Sequence, residues 1–122
     1  MSTGPLAQGS IDNRREPRYP VAWPARLELG QGQVVEVKVR DISESGLGLR
    51  CERPMPEHAR LKIVVGVPDL HDPTRLQAVP GTVKLVFVVM SGHEWRLGAQ
   101  WAELGEPARQ LLKQWITKLR FG

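Results

Sequence analysis

Arg14, Arg15 and Arg18 stand within five positions in the run N-R-R-E-P-R-Y, which spans Asn13 to Tyr19. Pro17 and Pro20 flank Arg18 and Tyr19 and bias this stretch toward extended or turn backbone, away from helix. Arginines on such a segment offer planar, permanently charged, five-donor forks. That shape matches phosphate oxygens and the two adjacent acceptors on a guanine edge. A second cluster follows at Asp41, Ser43 and Gly46, in the run D-I-S-E-S-G. Here a carboxylate acceptor, a hydroxyl and a conformationally free residue fall at the end of one strand-like segment and the start of the next. Together the two clusters could read a group that is both anionic and rich in ring donors.

Elements of short period must hold these residues. Val21, Trp23, Ala25, Leu27 and Leu29 share one parity, with Pro24, Arg26 and Glu28 on the other, the pattern of a half-buried strand. Pro24, on the outward parity, is expected at an edge or a bulge. Gly30-Gln31-Gly32-Gln33 reads as a hairpin connection, and Val35, Val37 and Val39 as the inward face of a second strand. Leu47, Leu49 and Cys51 continue a third, and Leu61, Ile63, Val65 and Val67 a fourth. A fifth is expected from about Leu76 to Met90, broken or bulged at Pro80-Gly81. Its second half is apolar on both parities, so cover on both faces is expected there. After Ser91-Gly92-His93 a sixth carries Trp95, Leu97, Ala99 and Trp101. The period then changes: Ala108, Leu111, Leu112, Trp115, Ile116 and Leu119 follow helical spacing behind Pro107. Six antiparallel strands at hairpin-like spacing favour a closed barrel, with the C-terminal helix plugging or flanking it over the doubly apolar part of strand five.

The 122 residues suffice for one domain with a core, and 41% hydrophobic with 25% charged residues is a globular composition. Residues 1–12 are small and polar and read as a flexible N-terminal tail, leaving 13–122 as the domain. The net charge of +4 and the isoelectric point near 9.7 suit an anionic partner. One cysteine excludes an intramolecular disulfide. The longest apolar run, Leu85 to Met90, is too short to span a membrane, and no signal pattern opens the chain, so a cytoplasmic protein is expected.

Arg14-x-x-x-Arg18 and Asp41-x-Ser43-x-x-Gly46, on either side of a first hairpin, resemble the signature of PilZ domains. Leu47-Gly48-Leu49, the strand Leu97-Gly98-Ala99-Gln100-Trp101 and the terminal helix extend the resemblance over roughly residues 13–121. It implies a mainly β fold, a six-stranded antiparallel barrel with a C-terminal α-helix, and a receptor for the bacterial second messenger cyclic di-GMP. It assigns Arg14, Arg15, Arg18, Asp41, Ser43 and Gly46 to the ligand, with Asn13 standing where the family often has another arginine. That departure bears on whether one ligand or a pair is bound.

Each cluster alone has an ordinary reading: the arginines as a solvated tail, and Asp, Ser and Gly as turn formers. Their joint occurrence in this order favours the site. The resulting expectation is a cyclic di-GMP receptor without catalytic activity or cofactor. Its N-terminal arginine segment would order over the ligand and signal in trans to a protein partner, since no output domain is attached. A small basic barrel binding nucleic acid is one alternative, but it calls for exposed aromatics among basic residues. Trp23, Trp95 and Trp101 instead fall on inward parities and Trp115 on the helix's apolar face. The other alternative is a PilZ-like adaptor acting through protein contacts alone. His58, His71 and His93 lack metal-ligand spacing, and no nucleophile elbow or spaced carboxylate pair is present.

Overall fold

A computed structural model describes residues 16–122. The strands are Tyr19–Gly30 (β1), Gln33–Ile42 (β2), Gly46–Cys51 (β3), Arg60–Pro68 (β4), Leu76–Ser91 (β5) and Glu94–Leu104 (β6), followed by the helix Glu106–Phe121 (α1). They close into a barrel in the order β1-β2-β3-β6-β5-β4, every pairing antiparallel. Each of the six strands thus has a neighbour on both sides, the arrangement expected from the six alternating segments.

The alternation read along the chain is the inside of this barrel. Leu27, Val39, Ile63, Val65, Val67, Val83, Leu85 and Leu97 are fully buried, and Cys51 is buried with them. Each such side chain stabilises the fold by roughly 1.5–3 kcal/mol relative to exposure. The β1–β2 hairpin turns through Gln31 and Gly32, both at positive φ (53° and 77°), the mirror-image turn whose twist suits paired strands. Pro24 lies one residue before the β4 ladder begins at Ala25, so on that side its missing N–H costs no ladder bond.

Two expectations need correction. The fifth strand is not broken at Pro80-Gly81: β5 pairs with β4 without interruption from Leu76 to Lys84. Pro80 is accommodated because the β6 ladder starts only at Gly81, and the irregularities fall later, after Thr82 and after Leu85. Nor does the helix cover the outer face of β5, where Phe87 and Val89 are exposed. α1 instead closes one mouth of the barrel with Leu112, Trp115 and Ile116. Trp115 meets Trp23 edge-on at 5.6 Å and donates its indole N–H to the Pro68 carbonyl at 2.8 Å. Trp23 and Trp115 are thus core residues, whereas Trp95 and Trp101 are half-buried. Lys118 donates to the Leu70 carbonyl at 3.0 Å, and the Arg120 Nε donates to the Tyr19 hydroxyl at 3.1 Å.

Candidate functional site

β1 and β2 bring the two clusters together. Tyr19 pairs with Ile42 and Pro20 with Asp41, so the residue just ahead of β1 arrives beside the end of β2. There the Arg18 Nη1 donates to Asp41 Oδ1 at 3.0 Å, with the two side chains 38% and 23% exposed. A pair this open contributes about 0–1 kcal/mol to stability. Both groups can therefore change partners at small cost.

A bulge aims Asp41 outward. Val39 and Ile42 point into the core, yet β2 places two residues, Arg40 and Asp41, against the single β3 step from Leu49 to Gly48. Strict alternation would send Asp41 inward with Val39; the extra residue turns it out beside Arg40. β5 repeats the device on the far side. Between the pairs Leu85–Ala99 and Phe87–Gly98 it carries one extra residue, which turns Phe87 out while Leu85 remains in the core.

Between these bulges the barrel wall is stripped of side chains. Asp41 pairs with Gly48, Gly48 with Gly98, and Gly98 with Phe87, forming one row across four strands. A Cβ at Gly48 would lie 2.6 Å from both carboxylate oxygens of Asp41, and one at Gly98 would run into the Phe87 ring. The result is a groove of about 650 Å³ floored at Gly48 and walled by the Asp41 carboxylate and the Phe87 ring, which lies over Gly98. Val89 adds to the apolar wall, and Arg18, Arg40 and Arg96 stand in the lining against Glu16 and Asp41. Planar acceptors and donors set around an apolar slot of this size fit a heteroaromatic anion.

Ser43 and Gly46 play a less direct part in the free protein. Ser43 is buried, and its N–H and hydroxyl both turn to the Gly46 carbonyl, at 3.0 and 3.4 Å. Gly46 is demanded by packing, since a Cβ there would overlap the carbonyl oxygen of Ala99 on β6. Arg14 and Arg15 lie outside the described residues. Glu16, from the same segment, accepts a hydrogen bond from the Ser45 hydroxyl at 2.6 Å. Burial raises its carboxyl pKa, but the donors around it at Ser45 and Ser43 and the Arg18 charge outweigh this and hold it below the usual value.

Arg40, Phe87, Val89 and Arg96 were not singled out from the sequence as site residues. The one available signal was the pair of glycines, Gly48 and Gly98, in two runs that the strand order places side by side. Among the described residues no group of three His, Cys, Asp or Glu side chains is placed to hold a metal ion. No described helix is long and apolar enough to cross a membrane.

The family model of the PilZ domain matches residues 12–118 of the chain. The fold is similar to that of the PilZ domain of Escherichia coli YcgR with c-di-GMP (TM-score 0.65, 18% identity), over 88% of this chain and 91% of that one. It is also similar to the K. pneumonia MrkH–c-di-GMP complex (TM-score 0.72, 16% identity), over 88% of this chain and 52% of that one. A third neighbour is the Bacillus subtilis inhibitor of motility MotI/DgrA (TM-score 0.72, 11% identity), over 86% of this chain and 50% of that one. The chain thus spans about half the length of MotI and MrkH. A search of curated proteins by sequence finds no match.

Proposed function

We propose that this chain, which belongs to the PilZ domain family, is a cyclic di-GMP receptor that binds its ligand across the glycine-floored groove without transforming it. The observation that carries this reading is the Arg18–Asp41 pair, 23 positions apart in sequence and 3.0 Å apart in space, at the edge of that groove. Asp41 can accept the ring N–H and amino group of guanine, a pattern that adenine does not offer. The Arg18 fork suits the O6 and N7 acceptors of the same base or a phosphate. Phe87 and Val89 supply an apolar surface for a purine face, and Arg40 and Arg96 complement the two phosphodiester charges. The YcgR and MrkH structures similar to this fold hold c-di-GMP, which supports the choice of ligand.

In the same reading Arg14 and Arg15 join Arg18 in clamping the ligand from the N-terminal side, with Ser43 and Gly46 shaping the opposite edge. The ordered segment and the ligand then form one new surface, presented in trans to a protein partner. Calorimetric titration with cyclic di-GMP and cyclic di-AMP tests the assignment. Saturable binding of the first with at least tenfold preference over the second is expected. Equal binding of both would remove Asp41 as a reader of guanine.

A further inference from the structure

The arginine segment carries an acid in its midst: Glu16 lies between Arg15 and Arg18. Beside a ligand phosphate that charge is unfavourable, so where the carboxylate goes in the free protein matters. It reaches across to the turn between β2 and β3, where the Ser45 hydroxyl donates to its Oε1 at 2.6 Å. The Ser45 backbone N–H, the neighbouring Ser43 and the Arg18 charge all favour its ionised form, although the Ser43 hydroxyl itself turns to the Gly46 carbonyl. A hydroxyl donor beside an amide N–H, with an arginine close by, is a set that proteins direct at phosphate oxygens.

The turn is built before any ligand arrives. Ser43 N–H donates to the Gly46 carbonyl at 3.0 Å, and Trp101 N–H donates to the Ser45 carbonyl at 2.9 Å, tying the turn to β6. Its donors therefore hold their direction whether or not Glu16 is present. Glu16, by contrast, sits on a segment that only leads into β1. We propose that the Ser43–Ser45 turn is an anion subsite for a phosphodiester group, and that Glu16 fills it in the free protein as an internal stand-in that the incoming ligand displaces.

Glu16 then weakens ligand binding, and the segment is released from the turn when a phosphate takes its place. If Glu16 were only a strut that positions Arg18, its loss would weaken binding instead. The sign of the effect separates the two. The identity of the anion rests on the receptor reading; the subsite itself does not.

The experiment compares the intact chain with Glu16→Gln and with Glu16→Gln/Ser45→Ala, using two probes. Dimethyl phosphate is followed through the Ser43 and Ser45 amide resonances, and cyclic di-GMP by calorimetry. Glu16→Gln is expected to bind either probe roughly tenfold more tightly than the intact chain, the scale of one hydrogen bond to a charged group. Adding Ser45→Ala should reverse that gain. Tighter binding by Glu16→Gln with neither probe would overturn the proposal. Absence of cyclic di-GMP binding by every protein would count against the receptor reading alone, leaving dimethyl phosphate to decide the subsite.

Discussion

The ring of Phe87 covers Gly98 on the neighbouring strand, occupying the space where any side chain at that position would begin. The contact joins the two features that make the groove: a bulge that turns an apolar residue outward and a glycine that lets it lie close. A base stacked on that ring gains about 1–3 kcal/mol. Phe87→Ala is therefore expected to weaken cyclic di-GMP binding by about tenfold. Phe87 is already partly exposed, so the melting temperature should move little. Loss of stability without loss of affinity would show that the ring serves the fold and not the ligand.

Gly46 and Gly48, two positions apart, should fail differently. At Gly46 an added methyl meets backbone, the Ala99 carbonyl, which cannot step aside without opening the β3–β6 pair. Gly46→Ala should cost at least about 2 kcal/mol in a denaturant titration. At Gly48 the methyl meets the Asp41 carboxylate, a side chain that can rotate. Gly48→Ala should leave the fold largely intact and lower ligand affinity by moving Asp41. Equal destabilisation by the two would contradict this division.

The helix is anchored to the barrel mouth through the Trp115 indole. Trp115→Phe keeps most of the packing against Trp23 but leaves the Pro68 carbonyl without its donor. The expected loss is about 1–2 kcal/mol, the cost of an unsatisfied half-buried acceptor. Chemical denaturation would measure it, and a neutral outcome would mean that water replaces the indole N–H.

Acid should loosen the connection that follows β4. The backbone N–H groups of His71 and Asp72 donate to the Asp69 carboxylate at 2.8 and 3.1 Å. The His71 N–H is the largest influence on its carboxyl; desolvation comes next and opposes it, but with the Asp72 N–H and the Arg75 charge the hydrogen bonds hold the pKa below the ordinary value. A carboxyl depressed in the folded state stabilises the fold above its unfolded pKa, and that contribution fades as pH falls through the folded value. The window is thus below about pH 4. Melting temperatures from pH 6 to pH 2 should fall less steeply for Asp69→Asn than for the intact chain; parallel curves would dismiss the Asp69 contribution.

The barrel was legible because strict alternation survives in most of its strands: Trp23 to Leu27, Val37 and Val39, and Ile63 to Val67 all point where their parity says. The terminal helix was legible because Leu112, Trp115 and Ile116 repeat at helical spacing. The groove was half hidden, since a bulge inserts one residue and reverses parity from that point on. The apolar run from Val83 to Met90 read as a strand covered on both faces. In the barrel it is one strand whose inward residues change parity after Leu85, leaving Phe87 and Val89 outside. Asp41 was identified from its motif, but nothing in the pattern showed that Arg40 would share its face.

Receptor function on this surface requires that Arg18 and Asp41 read one ligand together. The most direct measurement is calorimetric titration of the intact chain, Arg18→Ala, Asp41→Ala and the double variant with cyclic di-GMP. We predict saturable binding by the intact chain and a loss of about 1–3 kcal/mol in each single variant. The double variant should lose less than the sum of the two, because the residues are in contact. Undiminished binding by both single variants, or none by the intact chain, would contradict it.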